Sequence, residues 1–340
     1  MRETRETPLA LKALQLLLDD APPEADVPWG DLALLARRHG VLIRLAGRFE
    51  RLGIRPAAVF GTAVARERRR VAAMIDLMRR VGDACASGDI DFIFPKALHL
   101  YPDMGGDLDL LVLSHSTAVD RVILRHLPAA LLERDLRHRV ANVTVYHVEG
   151  FPSILDIHHG RLGVLGEYRA LPALLLQHRH PASVGGLPCF VPSREDQVLL
   201  QGLERVPGRR SLRLADVVFA HAALRPGLDW NYVLRTARAL GGVHTLSCYL
   251  SYVDQVYQRC FAGSLVPPEV RSELALKGWG RVSCGSAGLQ FPALRANALI
   301  YLRQFDAMIE SWNWSGAGRL LLLPVVAAAA GWARLGARGQ

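Results

Sequence analysis

Gly105-Gly106-Asp107-Leu108-Asp109-Leu110-Leu111-Val112 is the stretch on which the reading of this sequence turns. After the glycine pair, acidic and apolar residues alternate and then give way to a short apolar run, as in a strand entering a core. Successive side chains of a strand face opposite ways, so Asp107 and Asp109 share one face while Leu108 and Leu110 point to the other. Two carboxylates on one face repel unless a cation lies between them. Hard oxygen donors suit Mg²⁺, with Mn²⁺ as the alternative. Mg²⁺ keeps several waters and takes substrate phosphates as further ligands. The layout is that expected for metal-assisted phosphoryl or nucleotidyl transfer.

Such a site calls for a third carboxylate, and Asp156 is the best candidate. It lies inside an apolar strand, Ile154-Leu155-Asp156-Ile157-His158, where an unpaired carboxylate would be costly to bury. Asp156 and His158 share a face. If that face meets the one bearing Asp107 and Asp109, three carboxylates converge. Asp89-Ile90-Asp91 repeats the pattern but follows directly on a helix end (86–88), where a polar connector is expected. Sugar-nucleotide transferases and aspartyl-phosphate phosphatases place such a pair after an apolar run, whereas here Leu110-Leu111-Val112 follows it.

Outward from this centre, the sequence changes texture twice. Helices are expected over 8–19, stopped by Ala21-Pro22-Pro23, then from about Trp29 with Asp31 as N-cap, over 41–52, and over about 56–86. In the last of these, Arg66 to Arg70 reads as a solvated face. Strands are expected at 90–95, 108–113, 140–148 and 153–159, the last two forming a hairpin, with a helix at 117–127. Residues 88–160 therefore read as a compact mixed α/β unit. Helices dominate again from about 165: one capped by Ser193 with Asp196 three residues on, then 212–224, 229–240, 244–260, 268–277 and 292–312. This suggests a division into 1–87, 88–190 and 191–340.

Composition narrows the partners. Lys+Arg number 41 against 32 Asp+Glu, a net charge of +9, which favours anionic partners without dictating the fold. The five cysteines (Cys85, Cys189, Cys248, Cys260 and Cys284) are odd in number and widely spaced, with no CxxC pair. A disulfide scaffold and a zinc ribbon are both disfavoured, and reduced cytoplasmic thiols fit best. The first residues show no signal peptide, and Leu320 to Ala330 is too short for a transmembrane span and reads as a buried helix, with membrane-surface docking as the lesser alternative.

Other candidates carry weaker signals. His178-Arg179-His180 reads as an exposed basic loop before a metal site. His158 is read as touching a phosphate, holding Asp156, or serving structure alone. Asp229 reads as an N-cap for Trp230 onward, and Asp216 sits on a helix. The Arg-rich segment 205–213 reads as a solvated loop, with contact to an anionic acceptor as the alternative.

Taken together, the strand, the Pro95-Lys96 turn, Tyr101-Pro102, Gly106-Asp107-Leu108-Asp109-Leu110-Leu111-Val112 and Ile154-Leu155-Asp156-Ile157-His158 resemble the uncharacterised nucleotidyltransferase family of the DNA polymerase β-like superfamily. The helical segments at 192–200, 214–216 and 228–230 resemble its second half. The resemblance implies an α+β fold, a small mixed-sheet polymerase β-like core flanked by N-terminal and C-terminal helical regions. It implies Asp107, Asp109 and Asp156 as catalytic metal ligands, with Lys96, Gly106 and His158 toward the nucleotide. The implied reaction moves a nucleoside monophosphate from an NTP, ATP by prior, to an acceptor, releasing pyrophosphate. That acceptor, a small molecule, a peptide or protein, or RNA, is not specified. The chain departs from the family at Ala97, where a glycine is usual, at Gly105-Gly106, where a basic residue often stands, and at Gln201, where a histidine is usual. A catalytically degenerate nucleotide- or RNA-binding module is the rival expectation.

Overall fold

The computed structural model describes residues 8–19, 27–276, 278–285, 288–324 and 326. The expected stop at Ala21-Pro22-Pro23, and residues 325 and 327–330 of the apolar C-terminal run, lie outside them.

Four helices come first: α1 (Leu9–Leu18), α2 (Trp29–Arg38), α3 (Leu42–Arg51) and α4 (Ala58–Ser87). Pro28, not Asp31, holds the cap position of α2. Asp31 lies in the first turn, where its charge still suits the helix N-terminus. The second half of α4 buries Val71, Met74, Leu77, Met78, Val81 and Cys85 along one stripe.

That stripe packs on a five-stranded sheet. The sheet's elements are β1 (Phe92–Ile93), α5 (Ala97–Leu100), β2 (Asp107–Val112), α6 (Ser116–His126), β3 (Ala129–Leu131), α7 (Leu136–Ala141), β4 (Val143–Val148) and β5 (Ile154–His159). The strand order is β1-β2-β5-β4-β3. β2 and β5 run parallel, and β1–β2, β4–β5 and β3–β4 are antiparallel. The expected β4–β5 hairpin is present. β4 starts later than its alternation suggests, because 136–141 forms α7 and Asn142 ends that helix in the left-handed region, φ 58°. Leu108, Leu110, Val112, Leu155 and Ile157 share the sheet face against α4 and α6. Each such side chain, fully buried, stabilises the fold by about 1.5–3 kcal/mol. The opposite face carries Asp107, Asp109, Asp156 and His158, and beyond them Ile93 and Leu111 join a separate apolar cluster.

Of the later elements, those of Leu171–Gln177, Arg194–Glu204, Ala293–Glu310 and Trp314–Leu320 contribute to the apolar cluster on that second face. The elements after the sheet are, in order, α8 (Leu171–Gln177), the hairpin β6 (His180–Val184) and β7 (Leu187–Val191), α9 (Arg194–Glu204), β8 (Ser211–Leu212), α10 (Leu214–Ala223), α11 (Trp230–Ala239), α12 (Val243–Cys260), α13 (Pro268–Glu273), β9 (Ser283–Gly285), β10 (Gly288–Gln290), α14 (Ala293–Glu310) and α15 (Trp314–Leu320). Two expected caps are in place. The Ser193 side chain accepts from the Asp196 N–H at 3.2 Å, and that of Asp229 accepts from the Tyr232 N–H at 2.9 Å. The buried reading of the C-terminal run fails at Leu321 and Leu322, which are exposed after α15 ends. Among the described residues no helix is long and apolar enough to cross a membrane.

One apolar core joins the two ends of the described chain. Leu14, Leu32, Leu45, Phe49 and Phe60 of the first four helices pack with Leu199, Val217, Leu246, Tyr249 and Val253 of the later ones. Within it α9 crosses α12 closely: a Cβ on Gly202 would lie 2.4 Å from Leu246 Cδ1. Gly202→Val should therefore destabilise the protein by about 1–3 kcal/mol, read as a lower midpoint in urea. An unchanged midpoint would show that the crossing tolerates the added volume.

Candidate active site

The loop leading to Asp107 is strapped to the N-terminal helices. The Asp103 carboxylate accepts the N–H groups of Ile43 at 2.6 Å and Arg44 at 3.1 Å. The Arg44 guanidinium donates to the carbonyls of His99 at 3.1 Å and Tyr101. Arg70 donates to the carbonyls of Met104 and Gly105 and pairs with Glu67. Arg70 thus leaves the solvated face expected of it and fixes the entry to β2. Gly105 leaves room for the acidic side chain that follows: a Cβ there would sit 3.2 Å from Asp107 Oδ1. A Cβ on Gly106 would meet nothing within 4 Å, so the space over that exposed residue is open.

Sheet register sets the acidic residues side by side. Asp109 on β2 lies directly opposite Asp156 on β5, and Asp107 opposite Ile154. Neighbouring strands are about 4.8 Å apart, so the parallel pairing places two carboxylates next to each other on one face, with Asp107 two residues along. Val145 of β4 flanks Asp156 on the other side and is buried. Burial, then the charges of Asp109 and Asp107, push the Asp156 carboxyl up to about 6. Its Oδ1 is buried without a hydrogen-bond partner.

Asp109 meets two nitrogen-bearing side chains. Lys96 Nζ lies 2.9 Å from Asp109 Oδ1, and His158 Nε2 lies 3.0 Å from the same oxygen. Burial alone would raise the Asp109 carboxyl, yet Lys96 and His158 hold it well below the usual carboxylate range. Among its expected roles, His158 thus takes one not foreseen, a contact to Asp109 and not to Asp156. Lys96 also reaches Glu204 Oε2 at the end of α9, 3.2 Å away. Burial opposes the Lys96 charge, but Asp109 and Glu204 outweigh it and raise the ammonium pKa. Glu204 also accepts the Gly163 N–H at 3.2 Å, tying the site to α9.

The remaining expected residues scatter. Ala97 is buried in the core between sheet and α4, so its methyl occupies the interior. Gln201 pairs with His99 of α5. Burial, then the charges of Lys96, Arg213 and Arg44, push the His99 imidazole down to about 3. His178 is not freely exposed: its Nδ1 lies 3.2 Å from Asp196 Oδ2 and 3.1 Å from the Tyr232 hydroxyl. Asp91 pairs with Arg179, and Asp89 occupies the turn after α4 with φ 51°. Asp216 accepts the Arg213 N–H and pairs with Arg205, both at 2.6 Å.

Among the described residues no three His, Cys, Asp or Glu side chains form a group that could hold a metal ion by themselves. Mg²⁺ is usually held by one or two carboxylates with waters and substrate phosphates. An open row of carboxylates, with a buried Asp156 oxygen lacking a partner, suits that mode.

A mixed sheet carrying a paired Asp-x-Asp strand beside a third acidic strand, backed by helices, has the architecture of a nucleotidyltransferase. The sequence model of a family described as an uncharacterised nucleotidyltransferase matches residues 25–258, and the chain belongs to that family. It is accordingly a transferase acting on a nucleoside triphosphate, moving a nucleoside monophosphate group. No curated protein and no solved structure matches the chain.

Proposed function

We propose that the protein is a Mg²⁺-dependent nucleotidyltransferase that uses ATP or another NTP and works at the face bearing Asp107, Asp109 and Asp156. The observation that carries this reading is the register of Asp109 against Asp156, which gathers carboxylates at a cost that a cation removes. Asp107, Asp109 and Asp156 would hold the metal. When bound, Mg²⁺ supplies positive charge to the phosphate oxygens and to the entering and leaving oxygens.

The chain's own residues do the rest. Lys96 is anchored by Glu204, so it keeps its charge and position when Asp109 turns toward a metal, and it stabilises the triphosphate. An acceptor hydroxyl attacks the α-phosphorus. The new P–O bond forms as the bond to the β-phosphate oxygen breaks, and pyrophosphate leaves. Asp156, beside the attacking hydroxyl, accepts its proton. The α9–α12 region above the sheet supplies the acceptor side of the cleft.

The test is to incubate the protein with α-labelled NTPs, Mg²⁺ and cell lysate and to look for label on a new product. Transfer that needs Mg²⁺ supports the reading. Label retained on the protein with no product supports a degenerate binding module instead. Lys96→Ala should lower kcat/KM for the NTP by about a hundredfold, the scale of losing one charge-stabilising donor. Unchanged kinetics would remove Lys96 from the phosphate site.

A further inference from the structure

We infer that Glu167 is a positioning residue for the nucleotide, acting through Glu204 on Lys96. It fixes the loop 160–167, whose Gly163 N–H holds Glu204, and Glu204 in turn aims Lys96 at the triphosphate. This rests on the proposed transferase reading and gives a role to a buried carboxylate that the chemistry itself does not use.

The loop leaves β5 and closes on itself. The Gly160 N–H donates to the Val112 carbonyl at 2.8 Å, which ties the start of the loop to the end of β2. The Tyr168 N–H donates to the Leu162 carbonyl at 2.9 Å across its base. Arg319 of α15 donates to the Leu165 carbonyl at 3.0 Å. Glu167 lies inside this turn, only 3% exposed. Its Oε1 accepts the Val164 N–H at 3.3 Å and its Oε2 the Leu165 N–H at 2.8 Å. An ionised carboxylate offers acceptors on both oxygens, whereas an amide would turn a donor toward one of these N–H groups. Gly163 passes so close that a Cβ there would lie 2.5 Å from the Glu167 carboxyl carbon, and its φ is 102°. Glycine takes that conformation without strain.

The turn therefore presents one N–H outward in a fixed direction. The Gly163 N–H meets Glu204 Oε1 at 3.2 Å, and the other oxygen of the same carboxylate, Oε2, lies 3.2 Å from Lys96 Nζ. Backbone thus holds the free end of the Glu204 side chain. The Lys96 ammonium has this partner on the α9 side and Asp109 Oδ1, 2.9 Å away, on the sheet side. When Asp109 turns toward a metal, Glu204 is the contact that remains. Protein kinases fix a lysine on nucleotide phosphates with a lysine–glutamate ion pair in the same way. A long side chain held in place before the ligand arrives loses less conformational freedom on binding, and affinity rises accordingly.

The test measures, by calorimetry on the full chain with Mg²⁺, the affinity for non-hydrolysable analogues of the four NTPs, and continues with the tightest. Glu204→Gln should weaken binding about tenfold, the scale of one charge-assisted hydrogen bond. Glu167→Gln and Gly163→Ala should each weaken it about threefold, and neither should add a further loss in the Glu204→Gln background, because all act through one contact. A residue that serves only the stability of the fold would add its loss to that of Glu204→Gln, so additive losses would overturn the proposal. Wild-type affinity in both Glu167→Gln and Gly163→Ala would overturn it too. So would tighter binding in Glu204→Gln, which would make Glu204 a charge opposing the phosphates. Gly163→Ala carries the test if Glu167→Gln does not fold. If Lys96→Ala binds the analogue as wild type does, the proposal falls and the nucleotide reading stands. If no analogue binds wild type, both fall.

Discussion

Asp107→Asn is expected to reduce NTP-dependent transfer about 10³-fold or more, which corresponds to roughly 4 kcal/mol of transition-state stabilisation. Asparagine keeps the size and the neighbours of aspartate but removes a charge that a divalent cation needs. Asp107 is exposed at the start of β2, and its carboxylate lies over Gly105, so the exchange disturbs little packing. The thermal midpoint should stay within a degree or two of wild type while labelled product disappears. Product formed at the wild-type rate would remove Asp107 from the metal site and with it the Mg²⁺-dependent reading.

Asp156→Asn should separate stability from activity. The Asp156 carboxyl is raised from 3.8 to about 6 by burial and by Asp109 and Asp107. The folded protein therefore holds this proton more tightly than the unfolded chain does. As pH rises from 4 through 6, the folded state must ionise a buried group and loses stability. Above 6 the whole cost persists, and a two-unit shift is worth at most about 3 kcal/mol. Removing the charge should thus stabilise the metal-free protein by about 1–3 kcal/mol at pH 8, and the gain should shrink toward zero near pH 4. Transfer should fall about 10³-fold at the same time. Melting curves at both pH values, with and without Mg²⁺, provide the check. Added Mg²⁺ should raise the wild-type midpoint and leave the variant's nearly unmoved. A variant less stable than wild type at pH 8 would show that Asp156 is not held against unfavourable charge.

The acidic strands could be read from sequence because alternation alone assigns faces: Leu108 and Leu110 inward, Asp107 and Asp109 outward. That the two acidic strands are parallel neighbours in register is a tertiary fact, visible only once β2 and β5 pair. The contacts that Asp109 and Lys96 make were hidden for a related reason. Lys96, His158 and Glu204 are far apart in sequence, and nothing local to Glu204 at the end of α9 marks it. The roles of Arg44 and Arg70 were hidden likewise, because each grips carbonyls of a distant loop. The β6–β7 hairpin escaped notice because Pro181 and Pro188 interrupt its strand signal, and proline weakens any strand assignment. Asp31 was misplaced as a cap because a good cap residue in a first turn has the same local pattern as one a few residues earlier.

The single core built from both ends of the chain sets an order of events during synthesis. The apolar stripes of α1 to α3 pack on one another and on α4, but their burial is completed only when residues near 198 and beyond leave the ribosome. At about 5–20 residues per second, the first helices wait some ten seconds or more with their leucine faces only partly covered. During that interval they are natural clients for a chaperone. The sheet and its acidic row, by contrast, draw on contacts within a shorter span and can form first. The helical half then closes over a face that is already in place.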